Sequence, residues 1–291
     1  MSGLALGLVL LSAVIHASWN LLAKRGMNQE VFIWLAQVVI SVVLLPLGLY
    51  LIFKYPMDAT GWVFVTGTVL LHIFYFFFLG RSYARADLSV VYPIARGMGP
   101  AVVPILGVLV LGENVSPPAV AGIATVVAGI YTVYWWGRFR LILSDPLKLF
   151  REPGTRYALF TGATIAAYSV WDKVGVSHVT PFLYMYLMSL GSALGLAPFL
   201  IRSHGTAAVR AEWRHNSTSI VAVGMMTFVA YGLVLTAFQF SRVSYISPAR
   251  EVGIVIGVLL GVLVLKEPFG RGRIIGSGMI ATGLVLIALA P

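Results

Sequence analysis

The chain contains no cysteine, which excludes disulfides, thiolate nucleophiles and cysteine-held metals. Charge is almost as scarce: Asp, Glu, Lys and Arg together make up 10% of the 291 residues, against 59% hydrophobic ones. A water-soluble domain of this length could not cover such a core with so few charges. The five histidines are scattered without metal-ligand spacing, and no glycine-rich phosphate loop is present, so neither a metal centre nor nucleotide hydrolysis has a motif behind it. No nucleophile motif stands out either. The expectation is a protein that is not an enzyme and needs no cofactor, whose uphill work comes from an ion gradient or from exchange. Acidic residues are half as many as basic ones, for a formal charge of +10. In so apolar a chain this excess points to anionic lipid headgroups and not to nucleic acid.

What the chain does have is long apolar runs, with a mean hydropathy of +0.92. About 20 apolar residues cross a hydrocarbon slab as a helix, and breaks between the runs predict ten spans at 3–23, 30–53, 60–82, 87–111, 116–136, 157–177, 180–201, 216–240, 243–265 and 271–290. The first run does not read as a cleavable signal: it lacks a basic start, carries His16, Trp19 and Asn20, and is followed by Lys24 and Arg25.

Two stretches repeat one another. Residues 96–113 read RGMGPAVVPILGVLVLGE and residues 250–267 read REVGIVIGVLLGVLVLKE. The register continues, with Gly122 matching Gly276 and Gly129 matching Gly283. The copies fall in spans four to five and nine to ten, so the unit is five helices long. Five is odd, so the second unit enters the membrane from the opposite side. The expected fold is therefore all-α: ten transmembrane helices as two inverted five-helix repeats around a central cavity, a first repeat over 1–136, a loop over 137–156 and a second repeat over 157–291. Such inverted repeats allow one site to face either side alternately; simple growth of a helical bundle is the alternative. Arg138, Arg140, Lys148, Arg202, Arg210, Arg214, Arg271 and Arg273 collect in alternate loops, which puts the 137–156 connection in the cytoplasm and both termini outside.

Ionisable groups at membrane depth are costly and so mark a wet cavity or one another. Arg96 lies inside span four with Tyr92 one turn earlier, and Arg250 in span nine is followed by Glu251. Pro93, Pro100, Pro104 and Pro248 remove backbone donors nearby. Each Arg either meets a ligand or ties down the carbonyls of its own kinked helix. His16, Trp19 and Asn20 share one face of span one, and Tyr168, Trp171 and Asp172 share the equivalent face of span six. These aromatic residues form either a ligand cage or a headgroup belt. Asp172 needs a proton, an arginine or a cationic substrate. His72 and Tyr75 could line a path in span three. Glu113 and Glu267 end their spans and read as boundary residues. Gly253, Gly257 and Gly261 form a ridge in span nine, and Gly191 and Gly195 a shorter one in span seven.

With LGVLVLGE at 106–113 followed by Gly122 and Gly129, and LGVLVLKE at 260–267 followed by Gly276 and Gly283, the chain resembles the EamA group of the drug/metabolite transporter superfamily over essentially its whole length. The resemblance implies a permease in which spans one, three, four, six, eight and nine line the cavity, placing His16, Asn20, Tyr92, Arg96, Asp172, Arg250 and Glu251 toward it. Many such exporters have apolar cavities, whereas this chain carries VYPIARG and ISPARE. The first form is similar to permeases associated with phosphonate metabolism. The expected activity is secondary transport of a small polar, zwitterionic or anionic metabolite, amino-acid-like or aminophosphonate-like, across a bacterial inner membrane, by a monomer, with protons as the candidate coupling ion. An Arg fork would hold a carboxylate or phosphonate, and Glu251 or Asp172 with Trp19 and Trp171 an ammonium. The rival readings are a broad exporter of hydrophobic drugs or amino acids, in which Arg250 and Glu251 neutralise one another, and a lipid-linked sugar flippase.

Overall fold

The computed structural model of the protein describes residues 1–23, 26–83, 85, 88–137, 151–265 and 270–291. Every regular element among them is an α-helix, as hydrocarbon requires of a chain that must satisfy its backbone groups internally. In order these are α1 (Gly3–Ala23), α2 (Gln29–Val43), α3 (Leu45–Lys54), α4 (Ala59–Tyr83), α5 (Leu88–Leu111), α6 (Pro117–Trp135), α7 (Pro153–Gly175), α8 (Pro181–Phe240), α9 (Val243–Ala249), α10 (Val252–Leu265) and α11 (Arg271–Leu289).

The ten expected spans are all recognisable in these eleven helices. Span two is the pair α2 and α3, bent by 59° where Pro46 occupies the first turn of α3 and has no N–H to continue the ladder. Spans seven and eight are merged in the 60-residue α8, which departs from helical geometry at Gly205 (φ 77°) and Asn216 (φ −122°). Residues 202–215, expected as a loop, are thus a helical link whose sharp turn uses the positive φ open to glycine. The link is pinned by Glu212, which accepts from the backbone N–H groups of Met27 (3.3 Å) and Asn28 (2.8 Å) at the start of α2 and from the Asn216 amide (2.6 Å). Span nine is the broken pair α9 and α10. Pro100 and Pro104, by contrast, leave α5 continuous.

α7 is long enough to span but does not reach the hydropathy of the other spans. The reason is its position, not its exposure: Thr161, Thr164, Ser169 and Asp172 are all buried against the protein. It packs along α4 and α5, while α1 packs along α8 and α10. The centre of the molecule is where these meet the α9–α10 break.

The inverted relation is visible where the last helices of the two repeats cross. A Cβ on Gly122 would stand 2.7 Å from the Gly283 carbonyl, and one on Gly283 2.6 Å from the Gly122 carbonyl. Gly129 and Gly276 reciprocate in the same way, at 2.8 and 2.7 Å. Positions that match in sequence thus contact their partners' counterparts, the self-complementary pattern that a two-fold operation produces. The close approach of α6 and α11 depends on these glycines. Gly276→Leu is expected to cost about 1–3 kcal/mol by overpacking and to lower the melting temperature of the detergent-purified protein. Gly278→Leu, whose Cβ would meet nothing within 4 Å, should leave it unchanged.

The other glycine ridges differ in use. A Cβ on Gly191 would stand 2.4 Å from Val69 of α4, and one on Gly195 2.3 Å from Ile73, so these two glycines set the approach of α8 to α4. Gly253 makes only ordinary contact with Ala13 of α1, and Gly257 faces open space. The surroundings of Gly261 lie outside the described residues.

Candidate functional site

Pro248 lies in the last turn of α9 and has no N–H to donate. The chain then tightens: Glu251 N–H reaches Pro248 O at 3.1 Å, Gly253 N–H reaches Arg250 O at 3.1 Å, and Ile254 N–H reaches Glu251 O at 2.9 Å. Each bond spans three residues, the tighter winding of a 3₁₀ turn, and it places Arg250 and Glu251 on the joint between two half-helices.

Glu251 reaches across the repeat boundary to α5. Arg96 Nη2 donates to both of its oxygens, at 3.0 and 3.1 Å, with the two side chains 16% and 6% exposed. Arg250 is placed differently. Its guanidinium lies over the Tyr231 ring, 5.6 Å from the centroid, and among the described residues no carboxylate stands within ion-pair distance of it. The two arginines that align in sequence therefore have unequal roles: one is neutralised, the other is a cation resting on a π face.

Below Tyr231 sits Asp172, fully buried. Tyr231 donates its hydroxyl to Oδ2 (2.6 Å) and Tyr184 donates to Oδ1 (2.9 Å), and the Thr68 side chain lies beside the carboxyl group. His72 Nδ1 lies 2.9 Å from the Thr68 carbonyl and 3.1 Å from its hydroxyl oxygen. A carbonyl only accepts, so Nδ1 carries the proton, and His72 is held near Asp172 by its bonds to Thr68. The His72 ring stacks on Tyr168 at 4.4 Å and meets Tyr231 edge-on at 5.8 Å; Tyr75 closes the group, 5.8 Å from Tyr168. His16 of α1 accepts the Trp19 indole N–H on Nδ1 at 3.2 Å, which places its ring proton on Nε2.

Among the described residues, hydroxyls, imidazoles, one carboxyl group, one ion pair and one guanidinium without a carboxylate partner thus converge between the two halves of a helical membrane bundle. The EamA-like transporter family model matches residues 3–135 and again 153–289. The chain belongs to this family. Its fold is also that of a solved crystal structure of a protein 17% identical, with a TM-score of 0.80 covering 99% of this chain and 98% of that one. No curated protein matches in sequence.

In this EamA-like chain the structure brings together His16, His72, Tyr75, Arg96, Tyr168, Asp172, Arg250 and Glu251 of the residues singled out by sequence. Trp19 is attached to the group through His16 and packs toward α2, while the Asn20 amide donates to the His16 carbonyl of its own helix (2.8 Å). Trp171 turns away: its indole N–H donates to Phe64 O (2.9 Å) and its ring fills the space over Gly67 of α4. The side chain of Tyr92 lies outside the described residues. Sequence reasoning missed Thr68, Tyr184 and Tyr231. Tyr231 is a phenol within an apolar run, but nothing in the chain of letters ties it or Tyr184 to Asp172.

Glu113 is a boundary residue with a specific task. Its oxygens accept from Val243 N–H (2.8 Å), Ser244 N–H (3.0 Å) and the Ser244 hydroxyl (2.5 Å), capping the start of α9 from the other repeat. Glu113→Ala is expected to cost about 1–2 kcal/mol and to lower thermal stability, read by the melting temperature, without changing ligand affinity. Glu267 lies outside the described residues. Lys173 caps the other end of the neighbouring segment, donating to the carbonyls of Phe238 and Ser241.

Proposed function

We propose that the protein is a secondary active transporter that moves a small organic anion or zwitterion, amino-acid-like or aminophosphonate-like, across a bacterial inner membrane as a monomer. The observation that carries this reading is Arg250: a guanidinium at the broken helix between the two repeats, seated on Tyr231 with no carboxylate partner among the described residues. A half-buried cation of this kind is held ready for a carboxylate or phosphonate, which it can grip with two parallel hydrogen bonds. The broad-exporter reading needed Arg250 and Glu251 to cancel one another; Glu251 is instead committed to Arg96. An ammonium group on the same substrate would have Glu251 and Asp172 as its charge partners.

Transport then follows from the repeat. The halves 1–136 and 157–291 rock about the cluster, and the Arg96–Glu251 bridge, which crosses between them, holds the buried conformation. Asp172 is the coupling group. His72 faces it from α4, Tyr184 and Tyr231 from α8, and Arg250 lies beyond Tyr231 from the α9–α10 joint. With hydroxyl donors and no bonded cation among the described residues, this carboxyl group can hold a proton in one conformation and release it in another.

The test is thermal stabilisation of the purified protein against amino acids, aminophosphonates, phosphorylated metabolites, quaternary amines and lipophilic drugs. A ligand of the folded state at 100 times its Kd adds about 2.7 kcal/mol of stability. Stabilisation by an acid or zwitterion is the expected result. Stabilisation by lipophilic compounds alone overturns the reading in favour of a broad exporter.

A further inference from the structure

A pocket lies apart from the central cluster, between the first turns of α2, the last turns of α4 and the first half of α8. Its volume is about 320 Å³, enough for a small organic molecule. Aromatic rings of Trp34, Phe76, Phe77 and Phe199 wall it, and none of the residues of the central site lines it. Trp34 gives its indole N–H to Ala193 O (2.8 Å), so the wall is anchored and offers a ligand no donor.

Two polar groups in this lining are left with work to do. Gln37 is 3% exposed, and its Oε1 is buried without a hydrogen-bond partner among the described residues. Glu30 Oε2 accepts from His204 Nε2 at 2.9 Å, while its Oε1 takes no hydrogen bond among the described residues. The histidine does not cancel that carboxylate. Asn28 uses its side-chain oxygen to cap Val31 N–H (3.2 Å), so its amide nitrogen is what faces His204 Nδ1 at 3.0 Å. Nδ1 must therefore accept, and a neutral ring with its proton on Nε2 satisfies both contacts. Among the described residues the Gln37 amide nitrogen takes no hydrogen bond either, so the open group of the lining that prefers one sign of charge is the Glu30 carboxylate.

We infer that this pocket is a second ligand site, for a lipophilic ammonium compound: an apolar, ring-bearing body ending in a protonated amine. The amine supplies N–H donors and the counter-charge that none of the described residues gives Glu30, and the body covers the aromatic walls. Phe77 and Phe199 already carry the Arg81 guanidinium, 5.1 and 5.7 Å from their centroids, which leaves Glu30 as the place for the ligand's charge. The preference is opposite in sign to that of Arg250, so the occupant is distinct from the substrate proposed above, and the inference stands whether or not that proposal does.

The test is calorimetric titration of the full protein in lipid nanodiscs with phenylbutylammonium, its neutral analogue phenylbutanol and its acidic analogue phenylbutyrate. The ammonium should bind at least about 10-fold more tightly than the alcohol, the carbon skeleton being shared, and the acid should not bind. Glu30→Gln should weaken the ammonium about 10-fold, Ile33→Trp should abolish binding by filling the pocket, and Arg250→Ala should leave it unchanged. If Glu30→Gln does not fold, Gln37→Leu serves in its place, with a loss of about 5-fold expected. Equal affinity for amine and alcohol, absence of amine binding, indifference to the pocket variants, or loss in Arg250→Ala would each overturn the inference.

Discussion

Arg250→Ala is expected to weaken binding of an acidic or zwitterionic ligand by about 100-fold or more while leaving the protein folded. Two hydrogen bonds to a charged group are worth about 1.5–3 kcal/mol each, and about 1.4 kcal/mol is a factor of ten in affinity. The cost to the unliganded protein is small, because the side chain's contact is a stacking on Tyr231 worth about 0.5–2 kcal/mol. Arg250→Lys should fall between, keeping the charge and losing the planar pair of donors. Arg96→Ala should behave in the reverse manner. It strips Glu251, 5% exposed, of its counter-charge, and breaking one side of a buried pair costs about 3–5 kcal/mol. The melting temperature should fall, and the double change of Arg96 and Glu251 to leucine should recover much of the loss. Ligand affinity and melting temperature measured on all four variants separate the two arginines. If Arg96→Ala abolished binding in a still-folded protein and Arg250→Ala were tolerated, the anion site would lie on α5 instead.

Asp172→Asn is expected to abolish the response of uptake to an imposed proton gradient while substrate affinity changes by no more than a few-fold. Asparagine keeps the size of the group and an acceptor for the Tyr184 hydroxyl, and Tyr231 can turn its hydroxyl to accept from the new amide. What disappears is the exchangeable proton. Liposomes loaded with substrate should then show exchange without accumulation, at a rate independent of pH. His72→Gln, which removes the imidazole held beside Asp172 by Thr68, should slow the response without removing it. Retention of gradient-driven accumulation in Asp172→Asn would exclude this carboxyl group as the coupling site and turn attention to Glu251.

The unequal fate of the two aligned arginines shows where letters stop being informative. Arg96 and Arg250 occupy matched places in the repeat, so sequence assigns them one role. The acid that distinguishes them, Glu251, follows Arg250 directly, yet it faces the more distant arginine because the tight turn after Pro248 directs it toward α5. Trp171 makes the same point. Its spacing from Tyr168 and Asp172 puts all three near one face of α7, but the gap over Gly67 draws the indole into α4 and commits its N–H to a backbone carbonyl. The predicted loop at 202–215 became a helical link because Glu212 is bonded to the start of α2, a partner far away in the chain.

Composition, run length and the internal repeat were sufficient by themselves for a ten-span helical bundle of two inverted halves and for a short set of polar candidates at its centre. That is so because a bilayer admits little else for such a chain: helices must satisfy their own backbone, and each buried charge must have a reason to be there. Which of those candidates meet, which neutralise one another and which is left with an open charge was decided only by tertiary structure. The bonds of Asp172 to Tyr184 and Tyr231, the bridge from Arg96 to Glu251 and the pocket beside Glu30 all join residues whose separation in the chain carries no signal. Side-chain hydrogen bonds act over about 3 Å, and only packing brings such residues within that reach.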